Sequence, residues 1–326
     1  MNTAVTGASG HIGANLIRSL SANSHSVRLL KHHRTRALED LDIPVIKGDL
    51  FNKASLAKLC EGVEVVFHLA AQISIGNFSM DQLLHVNVEG TKNVIRACRD
   101  TGVKRLVHFS SIHALSHEPL SEPMTEKNLL AVGSRFGYEK IKALAEQEVM
   151  QTAHGNNLEI IVLNPTAVLG PYDFAPSYLG QFLIRLYQHK IPGLVPGGYD
   201  WVDVRDVVKA AITAAKSGRN GERYILSGHW VNLRELAETA SIVTGKNLHP
   251  PMLPGWIANI GLPFIQTWVK IRKEHPLYTR ESLQILKLGN RDIRHDKATR
   301  ELEYHPRPLE ETLRDGYDWF RMNGYL

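Results

Sequence analysis

Six short runs rich in Val, Ile and Leu alternate with helical patterns along the first 165 residues, and this alternation limits the possible folds more than any other feature of the chain. The runs are TAVTG (3–7), SVRLL (26–30), IPVIKG (43–48), VEVVFHLA (63–70), KRLVHFSS (104–111) and LEIIVLN (158–164), with helical periodicity near 11–22, 53–61, 82–101 and 135–153. Nearly continuous apolar runs belong to strands covered on both faces. Strand and helix in strict succession predict a parallel sheet with helices on either side, a doubly wound α/β fold.

Past Pro165 the texture changes. NPTAVLGPYDFAPSY and KIPGLVPGGYD are rich in Pro and Gly and read as loops around a helix at 177–189. Residues 199–227 (YDWVDVRDVVKAAITAAKSG, then ERYILSG) are expected to rejoin the main sheet, and a capped helix begins near Asn232. The division expected is a nucleotide-binding domain at 1–165, joined by 199–227, and a smaller C-terminal substrate-binding lobe from 166–198 and 228–326, ending in a closing helix.

Composition removes several function classes. With 43% hydrophobic and 22% charged residues, the 326-residue chain has the make-up of a globular protein. Its 38 basic and 33 acidic residues are spread along the length, without the basic block a nucleic-acid partner calls for. Cys60 and Cys98 cannot form a disulfide framework and have no metal-type spacing. The N-terminus enters a strand at once, so no signal peptide is expected, and no run of 18 apolar residues is present. The most apolar stretch, Gly255 to Ile271, is interrupted by Asn259, Pro263 and Gln266; it reads as a helical hairpin covering the substrate rather than as a membrane-surface element. A cytoplasmic protein without stable membrane insertion is expected.

At the first strand–helix junction stands VTGASGHIG. Gly7, Gly10 and Gly13 let the backbone turn tightly and approach a pyrophosphate at the helix N-terminus, as in Rossmann dinucleotide sites. About twenty residues on, where an acid would take the ribose hydroxyls of NAD, the chain offers Lys31, His32, His33, Arg34 and Arg36, with no acid before Glu39. Guanidinium suits a 2′-phosphate, so NADP is the cofactor expected, with NAD the alternative. A metal reading fails because adjacent histidines at a strand end point apart. A merely solvated surface stays open.

Tyr138 and Lys142 in FGYEKIKA are four apart and share a helix face, where an ammonium eases proton transfer at the phenol. LVHFSSIHAL places Ser110 and Ser111 at the carboxyl end of a parallel strand, the end that faces the ligand crevice.

With these segments the chain resembles the extended short-chain dehydrogenase/reductases, of NAD-dependent epimerase/dehydratase type, over nearly its whole length. The resemblance implies a Ser111, Tyr138 and Lys142 triad. It implies cofactor contacts at Gly7, Gly10, His11, Ile12 and Gly13, with His32 and Arg34 toward the 2′-phosphate. Asp49 and Leu50 (KGDL) would meet the adenine. Leu69, Ala70 and Ala71 (FHLAA) would line the fourth strand, Asn87 (VNVEGT) would buttress the site, and Pro165 and Val168 (NPTAVLGP) would lie near the nicotinamide. The YTRESL segment and HDKATRELEYHPRPLEETLRDGYDWF ending resemble the dihydroflavonol-4-reductase-like branch. Two departures weigh against nucleotide-sugar epimerases: Leu115 and Ser116 stand where those enzymes commonly carry Tyr-Gly, and the second-strand acid is missing.

The activity implied is NADPH-dependent reduction of a carbonyl on a small, hydrophobic molecule, or oxidation of the matching alcohol. Alternatives are a nucleotide-sugar epimerase/dehydratase with bound NAD, a 3β-hydroxysteroid dehydrogenase-like enzyme and a non-catalytic NADP-sensing regulator. His113 and Tyr172 are candidate substrate contacts; Phe174 and Tyr178 line a cavity or pack a loop. No metal is expected, and a homodimer would use the 82–101 and 135–153 helices.

Overall fold

The computed structural model describes residues 1–31, 36–72, 79–153, 157–254, 286 and 289–326. The apolar stretch at 255–271, the YTRESL segment and His32, His33 and Arg34 lie outside the described residues. The main sheet has seven parallel strands: β1 (Asn2–Thr6), β2 (Ser26–Lys31), β3 (Val45–Lys47), β4 (Val65–His68), β5 (Arg105–Phe109), β6 (Glu159–Pro165) and β9 (Glu222–Leu226). Their order is β3-β2-β1-β4-β5-β6-β9. The chain winds outward in one direction from β1 and in the other from β4, which opens a crevice at their carboxyl ends.

Successive residues of each strand serve opposite faces. Val5, Phe67, Val107 and Ile161 pack against α1 (His11–Ala22) and α7 (Val204–Ser217). Their neighbours Ala4, Val66, Leu106 and Ile160 pack against α2 (Lys53–Cys60), α4 (Gly90–Asp100) and α5 (Gly137–Thr152). Both cysteines are buried free thiols in this second layer.

The helix expected near 82–101 is present: α3 (Met80–Leu84) runs through a π turn at His85–Glu89 into α4 without a break. A Cβ on Gly90, just after that turn, would lie 2.8 Å from Leu50 Cδ1. One expectation needs correction: only part of 199–227 returns to the main sheet. α7 and β9 do, but β8 (Gly198–Asp203) pairs with β7 (Ala167–Leu169) and β10 (His229–Asn232) in a separate three-stranded sheet. The chain leaves the main sheet after Pro165, and β7 then offers β8 a partner outside it. Pairing of this kind is set by tertiary neighbours, not by local pattern.

A second core lies under the small sheet. Trp201 shares it with Phe182 and Leu186 of α6 (Tyr178–Tyr187), Leu236 and Ala240 of α8 (Leu233–Thr244), and Tyr317 and Phe320 of the closing helix α10 (Leu309–Met322). A capping box between Asn232 and Glu235 starts α8, and α9 (Asp296–Leu302) packs on α7. Among the described residues, no helix is long and apolar enough to cross a membrane.

Candidate active site

A cavity of about 560 Å³ opens at the carboxyl ends of the main sheet and continues beneath the small sheet. The glycine loop with His11 and Ile12, Leu69 and Ala71, Ser111, Tyr138 and Lys142, and Pro165 and Val168 all line it.

The glycine loop fits a dinucleotide. A Cβ on Gly7 (φ +75°) would stand 2.5 Å from Ala70 N, and one on Gly13 would stand 2.2 Å from Gly7 O. α1 therefore begins pressed against the loop that leaves β1, and that loop against the segment that follows β4. Its N-cap, Gly10, supplies no side-chain cap, and its first turn holds no acid, so the positive end of the helix is left for phosphate.

A buried relay ties this loop to the π turn. Ala70 N–H donates to Thr6 Oγ1 (3.4 Å), and Thr6 donates to His68 Nδ1 (2.7 Å). His68 Nε2 donates to Thr91 Oγ1 (3.0 Å), whose proton goes to Asn87 O (2.6 Å). Burial holds His68 neutral, its pKa lowered to about 3, with Lys142 adding to the effect. Asn87 then clamps the segment following β4: its Oδ1 accepts from Gln72 N (3.1 Å) and its Nδ2 donates to Gln72 O (2.9 Å). Asn87 and Ala70 thus act from behind the cavity wall. Asp49 accepts from Phe51 N (2.8 Å) and Asn52 N (2.9 Å), turning the chain into α2, while Leu50 packs under Gly90.

The two serines after β5 divide their work. Ser110 Oγ donates to Glu146 Oε2 (2.5 Å). Ser111 Oγ accepts from His113 N (3.2 Å), which leaves its own proton to donate. Tyr138 and Lys142 face the cavity from the first turns of α5. Lys142 is buried, and desolvation draws its pKa down to about 8 against the opposing pull of Glu146. Glu146, one turn on, is fully buried; Arg223 Nε lies 2.9 Å from its Oε1, and Asn164 Nδ2 donates to its Oε2 (2.7 Å). Burial still raises the Glu146 pKa. Sequence reasoning passed over Glu146, though its spacing of four from Lys142 and eight from Tyr138 places it on the same helix face.

His113 lines the cavity, its ring edge-on to Tyr138 at 5.8 Å between centroids. Tyr172 does not. It takes a positive φ of 60° and lies under the Arg18 guanidinium, beside Phe174 and Trp319, away from the cavity lining. Tyr178 does line it. Two arginines of the SVRLLKHHRTR cluster are engaged elsewhere. Arg28 donates to Lys58 O (2.8 Å) and Glu61 O (2.9 Å), capping α2. Arg36 reaches Asn323 O (3.4 Å) and sits over the Tyr325 ring.

Asp200, also unforeseen, lines the cavity from β8. Its Oδ1 accepts from Gly228 N (2.6 Å) and Thr166 Oγ1 (2.7 Å), and burial lifts its pKa to about 6. Among the described residues, no group of three or more His, Cys, Asp or Glu is placed to hold a metal.

The model of the NAD dependent epimerase/dehydratase family matches residues 3–227. Sterol demethylase protein B of Methylococcus capsulatus is 32% identical, with all of both chains covered. A putative dihydroflavonol 4-reductase of Synechocystis sp. is 30% identical over 99% of this chain and 95% of its own. The Stigmatella aurantiaca 4-hydroxy-2-methyl-3-oxo-4-farnesyl-3,4-dihydroquinoline-1-oxide ketoreductase is 32% identical over 99% and 97%. The crystal structure of gox2253 superposes with a TM-score of 0.86 at 30% identity, covering 100% of this chain and 99% of that one.

Proposed function

Because the chain belongs to the NAD dependent epimerase/dehydratase family, we propose that this NAD(P)-dependent enzyme is an NADPH-linked carbonyl reductase for a small, hydrophobic, uncharged molecule. The observation that carries the reading is the continuity of the cavity. The glycine loop and Tyr138/Lys142 share it with a wall of Leu179, Phe182, Trp201, Trp230 and Leu233. A nucleotide sugar brings phosphates, and that wall is apolar.

The nicotinamide, when bound, supplies the hydride. Gly7, Gly10 and Gly13 hold the pyrophosphate at the start of α1. Ser111 donates its hydroxyl proton in a hydrogen bond to the substrate oxygen. Tyr138 gives up the proton that oxygen needs as it becomes an alcohol. Lys142 places a positive charge one turn from the phenol, which stabilises the phenolate left behind. The S. aurantiaca relative, a ketoreductase by name, supports a reducing direction.

Titration with NADPH and NADH, followed by a panel of apolar ketones monitored by cofactor oxidation, tests the proposal. Tighter NADPH binding and turnover of uncharged ketones are expected. NAD retained through dialysis, with no ketone reduced, would favour an epimerase instead.

A further inference from the structure

His117 lines the same cavity three positions beyond the 3₁₀ turn at Ile112–Ala114, and no step of the reaction above uses it. Its tautomer is fixed from behind. The backbone N–H of Asn290 donates to His117 Nδ1 (3.2 Å), so Nδ1 carries the lone pair and the ring proton sits on Nε2. Asn290 is itself buried and held by Glu122 O, to which its Nδ2 donates (2.8 Å). The Nε2 atom is buried and has no hydrogen-bond partner among the described residues. The ring lies 5.5 Å from that of His113, which in turn lies 5.8 Å from Tyr138. The donor therefore stands one ring further along the wall than the site of proton transfer.

We infer that His117 Nε2–H binds a second, uncharged oxygen of the substrate, so that the preferred carbonyl compound is a dicarbonyl such as a 3-oxo ester or a 1,3-dione. This rests on the carbonyl-reductase reading. A buried donor without an acceptor is costly, and a ligand oxygen that meets it recovers that cost; a ligand without the oxygen leaves the donor stranded. The charge of the cavity selects a neutral acceptor over a carboxylate. Its charged lining consists, among the described residues, of Lys142 against Asp173 and Asp200. Burial also keeps His117 neutral, with its pKa lowered to about 4, so it offers a hydrogen bond and no countercharge.

The test compares kcat/KM for ethyl 3-oxohexanoate and 3-hexanone in the wild type, His117→Phe and His117→Gln, with the cofactor the protein prefers. His117→Phe keeps a ring and loses the donor; His117→Gln keeps an N–H. The ester-to-ketone preference should fall about tenfold in His117→Phe, mainly through KM, and stay within about threefold of wild type in His117→Gln. Activity on 3-hexanone should be alike in all three. An unchanged preference in His117→Phe, or an equal loss on both substrates, would overturn the inference while leaving the reductase intact. If the wild type reduces neither ketone with NADPH or NADH, the reductase reading falls and this inference with it.

Discussion

Glu146 lies one helical turn beyond Lys142 on α5, and both side chains are buried. The carboxylate opposes the desolvation that lowers the lysine pKa to about 8. Glu146→Gln removes that charge while keeping the shape, so the ammonium should give up its proton at lower pH. The alkaline limb of the kcat profile is expected to move down by about one pH unit. An unmoved limb would show that Glu146 serves only its structural partners Ser110, Asn164 and Arg223, not the charge of Lys142.

Tyr138→Phe should lower kcat by about 10²- to 10⁴-fold, the range that positioned proton transfer contributes. Cofactor affinity, measured by fluorescence titration, should stay close to wild type. Reduction at near wild-type rate in the variant would remove Tyr138 from the chemistry.

The alternation of apolar runs with helical periods made the main sheet legible, because a strand buried on both faces has a composition of its own. The glycine loop was legible because its spacing carries a steric requirement, seen in the 2.2 Å approach at Gly13. β8 was assigned to the wrong sheet because its sequence is equally compatible with either set of neighbours. Arg28 read as part of a basic cluster, yet it caps α2, a contact 30 residues away that strand pattern cannot show. Asp200 gave no signal either: its role depends on Thr166 and Gly228, which only the fold brings to it.

His68 and His108 are buried beneath the site, and burial lowers the pKa of both, His68 to about 3 and His108 well below its usual value. The unfolded chain, with histidines near 6.5, binds more protons than the folded one below that pH. Stability from these groups is complete above pH 6.5 and is lost as pH falls toward 3, by up to about 1.4 kcal/mol per pH unit per histidine. His108→Phe replaces a ring whose nitrogens have no hydrogen-bond partner among the described residues. Urea unfolding at pH 7, 6 and 5 should show the variant losing less stability than the wild type at each step. Parallel losses would mean that His108 takes up no extra proton on unfolding.

Gly10 and Gly13 differ in what surrounds them. A Cβ on Gly13 would meet backbone at 2.2 Å and 2.8 Å, whereas one on Gly10 would meet only Gly7 O, at 3.5 Å. Gly13→Ala should therefore cost about 1–3 kcal/mol of stability, since backbone on both sides must shift. Gly10→Ala should stay within about 0.5 kcal/mol of wild type and weaken cofactor binding alone. Equal stability losses in the two variants would remove the close approach of α1 to the first loop as their cause.

Arg34 and Arg36 belong to one basic run, yet they are expected to differ in function. Arg36 is committed to the C-terminal segment through Asn323 O and the Tyr325 ring, and Arg28 is committed to the end of α2. If the chain reads a 2′-phosphate after β2, Arg34 is the remaining guanidinium of the run to do it, since a charge-assisted bond to phosphate is worth more than a neutral one. Arg34→Ala should weaken NADPH binding about 10- to 100-fold and leave NADH binding nearly unchanged, as measured by titration calorimetry. Arg36→Ala should lower the melting temperature without altering the ratio of the two affinities. An equal loss of both cofactors in Arg34→Ala would return the cluster to the solvated surface and leave NAD the better candidate.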